Sequence, residues 1–536
     1  MFRTASHILR AALSPLRTRF VSELRRPQET QGKLLRKLIA NLSATEYGRS
    51  YKIRADDDYD SFASKLPHVT YDDLVEWVSR QQNTERNVLV SEPVIFYEKT
   101  SGSSGPAKFI PYTRSLKASF NRMFLIWISD LLTNGPPFRT GKFYMSVSPA
   151  FRQNQATARG VRIGLDDDTE YLNRWAGYAL KPFLAAPLTI SRIQNPDDFK
   201  LVLATSLIAE PRLEAISIWN PSMFEVIMRY IEWRRDVVVA SLKRGFIVCD
   251  GLEFRFNRPA APRLELLEEQ TISWTRVWPE LKMISCWAGA HAAAAAHDLA
   301  RKFPGALLQG KGLLATEAPL TMPLIESSGC APLPSEVFYE FLDERGRILL
   351  LHEIQKEEEY EVILTQKGGL SRYRLGDRVR VTGFYMGSPC LEFTGRSDAV
   401  CDLVGEKLNE NFVRVSLEKL STSECFQTLL PMMPERSLSY YLLLTDSLPK
   451  EIKQIEAELE SYLCQAYHYR NARLLGQLGP VKIGVAPRLR ETFYDYFVGK
   501  GMKWGAIKHC HLIRKTEDAA GLIARLGPLA AHSDAV

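Results

Sequence analysis

Residues 100–108 read Thr-Ser-Gly-Ser-Ser-Gly-Pro-Ala-Lys, and this segment is the strongest indication of the fold in the sequence. Four hydroxyl side chains, two glycines and a lysine come soon after an apolar run at 94–97. Glycine lets backbone amides approach a phosphate closely, hydroxyls donate hydrogen bonds, and lysine adds a point charge. A flexible Ser/Gly linker would lack both the preceding strand and the trailing lysine. The segment therefore predicts a phosphate-binding loop.

Helical patterns lie on both sides of this loop. After Pro111, the residues Leu116, Phe120 and Phe124 recur at helical spacing, and the leucines within 28–42 do the same. A strand, a loop of small residues and a helix, in that order, are typical of a phosphate-binding turn in an α/β protein. The pattern thus predicts an α/β fold with the loop between a strand and a helix.

Further along the chain, the pattern changes twice. Extended stretches such as 215–219 and 282–287 alternate with helical ones, but near residue 340 short strands follow one another. Beyond residue 397 the order strand, helix, strand, helix starts again. We therefore predict a large N-terminal domain with a β-rich subdomain, and a small C-terminal α/β domain. The predicted segments are 1–27 (Arg-rich), 28–397 and 398–536.

The first 26 residues contain six arginines, no lysine and a single acid, Glu23. Such a composition is similar to that of an organelle transit peptide. The apolar residues Ile8, Leu9, Ala12, Leu13 and Leu16 instead favour an amphipathic helix that packs on the domain. We expect a cytoplasmic protein, and targeting by this Arg-rich segment stays open.

Overall composition excludes several classes of protein. Hydrophobic residues make up 45% and charged residues 24% of the chain, which is ordinary for a globular protein. The net charge of +7 is small for 536 residues, so we expect no nucleic-acid partner. No apolar run reaches the length of a membrane span, so we expect none.

Other short strings contain candidate binding residues. Asp377 ends Tyr-Arg-Leu-Gly-Asp and is predicted to lie where a β-turn meets a strand, in reach of two ribose hydroxyls. Taken alone, that string fits an ordinary turn aspartate better. Glu317 stands among apolar residues and needs a partner, which a magnesium ion or a basic side chain would supply equally well. The strings Gly-Arg-Ser-Asp at 395–398 and Gly-Ala-Ile-Lys at 505–508 are uninformative alone.

Taken in order, these strings resemble the core motifs of the acyl-adenylate-forming superfamily. They are most similar to its Gretchen Hagen branch, the auxin-responsive acyl acid–amido synthetases. The resemblance extends from about residue 28 to residue 512 and is most specific at 100–113. One departure is Leu313, where the family often has an aromatic residue that stacks on adenine.

The resemblance implies the cofactors ATP and Mg²⁺ and a role for each matched residue. Lys108, Glu317 and Lys508 would be catalytic, with Glu317 as the magnesium ligand. Lys508 would be a mobile lysine that stabilises the adenylation transition state, and Asp398 would be the hinge before its domain. The residues implied to hold the nucleotide are Ser101, Gly102, Ser103, Ser104, Gly105, Lys108, Thr316, Asp377 and Arg396.

The implied reaction has two steps. A carboxylic acid attacks the α-phosphate of ATP to give acyl-AMP, and an amine, by expectation an amino acid, then displaces AMP to give an amide. An acyl-CoA ligase, in which a thiol replaces the amine, is the nearest alternative. A homologue that binds nucleotide without turnover is another, although Lys108, Glu317, Asp377, Arg396 and Lys508 are all present.

Overall fold

The computed structural model describes two compact units, which divide in the sequence between Phe393 and Thr394. Both units are mixed α/β, which confirms the predicted fold class. Within the described residues, which are given in the next sentence, no helix is long and apolar enough to cross a membrane. The described residues are 2–84, 87–99, 108–146, 155–164, 181–257, 259, 261–289, 292–396, 400–401, 403–404, 406, 408–420, 425–434, 437–447, 451–474, 478–502, 504–529 and 531–532.

The helices of the first unit fall into two groups along the chain, one before residue 140 and one after residue 190. The helices before residue 140 are α1 (Phe2–Arg25), α2 (Pro27–Ser43), α3 (Glu46–Ser50), α4 (Tyr59–Lys65), α5 (Tyr71–Asn83) and α6 (Arg114–Asn134). The later helices of this unit are Pro196–Ala209, Pro221–Trp233, Arg235–Arg244, Ala261–Glu268, Trp274–Val277 and Ala293–Arg301.

The N-terminal segment is a helix that packs on the first unit, as predicted. Helix α1 contacts α6 and buries Leu13, Phe20 and Leu24, which recur on one side of the helix. The predicted apolar face is wrong in its first part, because Ile8 and Leu9 are 66% and 41% exposed. The helix extends to residue 25, and the large side chains of its second half determine which face is buried.

The segment 100–107, which lies outside the described residues, joins two antiparallel strands. Strands β1 (Val94–Lys99) and β2 (Phe109–Thr113) pair with Lys99 opposite Phe109. Helix α6 follows, and the Thr113 side chain caps it by accepting a hydrogen bond from Leu116 N. The helix predicted beyond Pro111 is therefore present as α6, but strand β2 before it was not predicted; its buried run 110–113 continues the sheet. The other strands of this sheet are β4 (Gln155–Ala156) and β5 (Arg162–Ile163).

A four-stranded parallel sheet forms the middle of the unit. Its strand order is β10-β9-β6-β3, and each strand pairs in register with its neighbours. Because the strands are parallel, their carboxyl ends lie at one edge. The strands are β3 (Phe143–Met145), β6 (Ala215–Ser217), β9 (Met283–Cys286) and β10 (Leu307–Gly310). A separate hairpin consists of β7 (Phe246–Cys249) and β8 (Leu252–Arg255).

A seven-stranded sheet confirms the predicted β-rich region. Its strand order is β11-β12-β17-β16-β15-β13-β14. Side chains from this sheet pack against α2 to α5 in one hydrophobic core. The strands are β11 (Thr321–Pro323), β12 (Cys330–Pro332), β13 (Val337–Leu342), β14 (Ile348–Leu350), β15 (Glu359–Gln366), β16 (Tyr373–Tyr385) and β17 (Ser388–Arg396).

The second unit contains a four-stranded sheet with helices on both faces. Alternate residues of β21 point to opposite faces, so Leu443 packs in one core and Leu442 and Leu444 in the other. The four strands of this sheet are β20 (Gln427–Met432), β21 (Tyr440–Thr445), β22 (Lys482–Val485) and β23 (Ala531–His532). A separate two-stranded sheet consists of β18 (Val400–Cys401) and β19 (Leu408–Asn409). The helices of this unit are Glu410–Glu418, Ile452–Leu463, Tyr467–Leu474, Leu489–Gly499 and Thr516–Leu526.

A buried carboxylate organises the chain that enters the parallel sheet. Glu214 is fully buried, accepts hydrogen bonds from the backbone amides of Arg139, Thr140 and Gly141, and pairs with Lys282. Burial alone would raise the pKa of its carboxyl, but Lys282 and the three amides outweigh burial and lower it. The charged form therefore stabilises the fold.

We expect Glu214→Ala to lower the free energy of unfolding by about 3–5 kcal/mol, because it leaves Lys282 and three amides without their partner. In the parent protein, this contribution is present above the usual carboxyl pKa of 4.5 and is lost as the pH falls below it. Urea unfolding at several pH values measures both effects. Glu269→Ala, which removes an exposed ion pair with Arg276, is the control and should cost under about 1 kcal/mol.

Candidate functional site

Lys108 immediately precedes β2, where the chain leaves the predicted phosphate loop. Its Nζ lies 3.5 Å from the hydroxyl of Tyr373 and 5.8 Å from the ring centre of Tyr71. The Tyr71 hydroxyl in turn accepts a hydrogen bond of 2.7 Å from Phe109 N. Two tyrosines that are distant in sequence therefore hold the amine beside the first strand residue after the loop.

Thr316 and Glu317 form the tip of a tight turn. Ala315 and Ala318 exchange backbone hydrogen bonds of 3.1 and 3.2 Å across it, and Tyr112 donates a 2.7 Å hydrogen bond to the Thr316 carbonyl. Tyr112 belongs to β2, the strand that begins one residue after Lys108. The structure therefore brings the 315–318 turn and the 108–112 segment together.

The Glu317 carboxylate is buried next to these groups. Its side chain is only 7% exposed, and it has no hydrogen bond or ion pair with the described part of the chain. Burial raises the pKa of the Tyr71 hydroxyl, and the Glu317 charge adds to that increase, which indicates that the two side chains are close. A buried carboxylate in this position is suited to a cation.

Asp377 lies inside strand β16, and the prediction of a turn at this point is wrong. Residues 375–377 stand opposite Val362 alone, because Arg374 pairs with Ile363 and Arg378 pairs with Glu361. Gly376 has a φ of +78°, which permits this bulge. Asp377 is 8% exposed and four residues from Tyr373 on the same strand.

Arg372 fixes the backbone immediately before Tyr373. It is buried, has a φ of +49°, and binds the Glu340 carboxylate at 2.7 Å. Its guanidinium also donates to the carbonyls of Ala63 and Leu66, both at 2.6 Å. This strained residue is thus bound on several sides, which holds the start of β16 in position.

His68 is a further partner of Arg372. The Nη2 of Arg372 lies 2.6 Å from Nε2 of the imidazole. The pKa of His68 is lowered, first by burial and then by the Arg372 charge, so the ring stays neutral and accepts the hydrogen bond.

We expect Arg372→Lys to lower the free energy of unfolding by about 2 kcal/mol, since a lysine cannot make the bidentate contact and reach both carbonyls. Chemical denaturation measures the change. Arg380→Lys is a matched control on the same strand, because Arg380 makes an exposed pair with Glu392 at 2.7 Å. Equal stability of the two variants would show that the Arg372 contacts contribute nothing specific.

The remaining predicted residues are not all described. Ser101, Gly102, Ser103, Ser104, Gly105 and the proposed hinge Asp398 lie outside the described residues. Arg396 ends strand β17. Lys508 is exposed in the second unit, and it follows the buried Ile507 and a short 3-10 turn, Trp504–Ala506.

Three tyrosines of this site were not predicted from the sequence. Tyr71 begins helix α5, Tyr112 lies in β2 and Tyr373 begins β16, and each touches a predicted residue through its hydroxyl or ring. Tyr373 stood in a quoted motif without an assigned role. No spacing in the sequence distinguishes these tyrosines from other buried aromatic residues.

Known proteins similar to this chain share its length and fold. Indole-3-acetic acid-amido synthetase GH3.1 of Arabidopsis thaliana, which is described as probable, is 23% identical over 90% of this chain and 89% of its own. The solved structure of AtGH3.15 acyl acid amido synthetase with 2,4-DB covers 96% of both chains with a TM-score of 0.82 at 19% identity. A 2-hydroxyisobutyryl-CoA ligase in its postadenylation state covers 94% of this chain and 92% of its own, with a TM-score of 0.54 at 13% identity.

Three family descriptions together match most of the sequence. The GH3 family N-terminal domain matches residues 16–308, the central domain 330–396 and the C-terminal domain 411–517. The N-terminal match alone spans more than half of the 536 residues. The chain therefore belongs to the GH3 family of acyl acid–amido synthetases, which are adenylate-forming ligases.

Proposed function

We propose that this protein activates a carboxylic acid with ATP and Mg²⁺ and transfers the acyl group to the amine of an amino acid. A carboxylate oxygen attacks the α-phosphorus of ATP, and the bond to pyrophosphate breaks. The amine nitrogen then attacks the acyl carbon, AMP leaves, and the nitrogen loses a proton to solvent. Activation is needed because a carboxylate is a poor electrophile and AMP is a good leaving group.

The observation that carries the proposal is the convergence of Lys108 and Glu317 around Tyr71. The Lys108 amine lies over the Tyr71 ring, Tyr112 on the strand that follows binds the Thr316 carbonyl, and the charge of the adjacent buried Glu317 adds to the raised pKa of Tyr71. Lys108 supplies positive charge to a phosphate oxygen, and Tyr373 restrains the amine. Such a site orients phosphates and neutralises their charge, with little covalent chemistry of its own.

The donors around Glu317 are compatible with Mg²⁺. The described residues contain no group of three His, Cys, Asp or Glu side chains that could hold a metal ion. One carboxylate, with water and phosphate oxygens for the other ligands, is nevertheless a usual set for Mg²⁺. When bound there, the ion would neutralise charge on the phosphates. Glu317 is the residue that would hold it.

The other roles are extended from the resemblance. We propose that the hydroxyls and amides of 101–105 hold the phosphates, that Thr316 borders the nucleotide, and that Asp377 binds the ribose. Arg396 would lie near the ribose and the α-phosphate. We also retain the domain division after residue 397, with Asp398 as its hinge, and a cytoplasmic location without a nucleic-acid partner.

The names of the relatives guide the choice of substrates. One is named for indole-3-acetic acid and another was solved with 2,4-DB, and both are named amido synthetases. The CoA ligase has a less similar fold, with a TM-score of 0.54 against 0.82. An aryl or arylalkanoic acid is therefore the first class of acid to test, and an amino acid is the first class of acceptor.

Two linked assays test the proposal on the full chain. The first measures pyrophosphate released from ATP and Mg²⁺ with each of a panel of carboxylic acids. The second adds the twenty amino acids or CoA and identifies the products by mass spectrometry. Acid-dependent pyrophosphate followed by an amide mass supports the proposal, and a thioester mass assigns the CoA alternative. Absence of acid-dependent pyrophosphate with every acid would indicate a homologue without turnover.

A further inference from the structure

A second cluster of polar and aromatic side chains lies at the carboxyl edge of the parallel sheet, in the first unit. Ser217, Ser285 and Gln309 stand side by side in the strand register and so share one face of the sheet. Trp219, Trp287 and Lys311 lie two residues further along the chain, just beyond the ends of these strands, where backbone hydrogen bonds such as Trp287 N to Trp219 O continue the pairing. This edge of parallel strands is where α/β proteins commonly bind ligands.

Lys311 is held between two indole rings. Its Nζ lies 4.9 Å from the ring centre of Trp219 and 5.5 Å from that of Trp127, which belongs to α6. The amine also donates a 2.9 Å hydrogen bond to Ser217 Oγ. These contacts fix the position of a positive charge that is half-buried. Because the side chain is already positioned, binding of a negatively charged group here would need little further ordering of it.

Some buried polar atoms near Lys311 have no hydrogen-bond partner within the described part of the chain. Gln309 is 6% exposed, and its Oε1 accepts a hydrogen bond of 2.9 Å from Trp127 Nε1. Among the described residues, its Nε2 has no hydrogen-bond partner, and neither has the hydroxyl of the fully buried Ser285 in the same row. Buried polar groups normally have partners, so unpaired donors on this face indicate that a ligand supplies acceptors.

The segment that leaves Lys311 leads directly to the Glu317 turn. Glu317 is the sixth residue after Lys311, so their Cα atoms are at most roughly 22 Å apart. The chain passes close to β11 at Gly312, where a Cβ would lie 2.2 Å from the Thr321 carbonyl oxygen. The charge at Lys311 and the proposed phosphate site therefore belong to one short, closely packed segment.

We propose that Lys311 recognises the carboxylate of the acid substrate, and that Trp219 and Trp287 contact its apolar body. A carboxylate would accept hydrogen bonds from Nζ of Lys311 and Nε2 of Gln309, which satisfies the unpaired amide. The indoles, whose ring centres are 6.1 Å apart, favour a flat aryl or heteroaryl group. This inference rests on the proposed function for the identity of its ligand, and Lys311 is the specificity-determining residue that it names.

Direct binding tests the inference without turnover. The probes are benzoate, indole-3-acetate and hexanoate, together with their uncharged primary amides, and binding is measured by saturation-transfer NMR and calorimetry. We expect the parent protein to bind at least one acid more tightly than its amide. Lys311→Met should weaken binding of that acid by about 10- to 100-fold and leave the amide unchanged. Lys200→Met is the matched control, since Lys200 also lies over an aromatic ring, at 5.7 Å from Tyr230, and should bind as the parent does.

Kinetics separate this inference from the proposed function. With an acid that supports pyrophosphate release, Lys311→Met should raise the KM for the acid and leave the KM for ATP unchanged. Lys311→Arg should recover part of the loss, and Lys311→Gln replaces Lys311→Met if that variant does not fold. An unchanged acid KM, or no carboxylate binding at all, overturns the inference. Lys311-dependent binding without pyrophosphate release would instead retain the carboxylate site and reject the reaction.

Discussion

Glu317→Gln is expected to lower the rate of acid-dependent pyrophosphate release by about 100- to 1000-fold. The variant keeps the size and burial of the side chain but removes the negative charge that we assign to Mg²⁺. Lys108→Ala should lower the rate too, because a charge-assisted contact to a phosphate contributes about 1.5–3 kcal/mol. The measurement is the initial rate of pyrophosphate release at several magnesium concentrations, and extra Mg²⁺ should restore part of the activity of Glu317→Gln only.

A matched control keeps this result specific to the site. Glu326 is exposed, nine residues further along, and its carboxylate accepts only a long hydrogen bond of 3.4 Å from Tyr385. Glu326→Gln should therefore keep the parent rate. Circular dichroism and the Tm establish that all three variants are folded. Parent rates in Glu317→Gln and Lys108→Ala would remove both residues from the catalytic machinery.

Lys508→Ala is expected to separate the two half-reactions. We assign this lysine to the charge that develops on the α-phosphate during adenylation, so its loss should slow acyl-AMP formation by about 100-fold or more. Aminolysis of acyl-AMP that is supplied ready-made needs no such charge and should continue at nearly the parent rate. Single-turnover quench experiments that follow acyl-AMP and amide separately provide the measurement.

Lys515 offers the control for this experiment, because it is an exposed lysine seven residues away in the same unit. Lys515→Ala should change neither step. If Lys508→Ala slows both steps to the same extent, the lysine has a general structural role in the enzyme, and its assignment to adenylation is wrong.

Helices and strands with a regular hydrophobic pattern could be predicted from the sequence. The short strands predicted near residue 340 include the observed β13, and the helix predicted at 28–42 is α2 within one residue at each end. Both follow from local periodicity, because a buried face repeats every second or every third to fourth residue. The second unit was predicted for the same reason, since its strand and helix at 440–463 have clear apolar stripes.

Features that depend on distant partners could not be predicted in this way. The bulge at Gly376 exists because residues 375–377 face one residue of β15, and β15 is a separate stretch of sequence. Strand β2 was not predicted, because Pro111 and the helical pattern beyond it hid its pairing with β1. Tyr71 likewise reaches Lys108 only through the folded chain.

Because β1 and β2 pair with each other, the stability of the fold depends little on the sequence of residues 100–108. Both ends of that segment are secured by the sheet at Lys99 and Phe109. The entropy of closing a loop grows only with the logarithm of its length, so a doubling costs only about 0.6 kcal/mol. Evolution can therefore lengthen, shorten or rewrite this segment at little cost to folding, and selection on it acts almost entirely through the reaction.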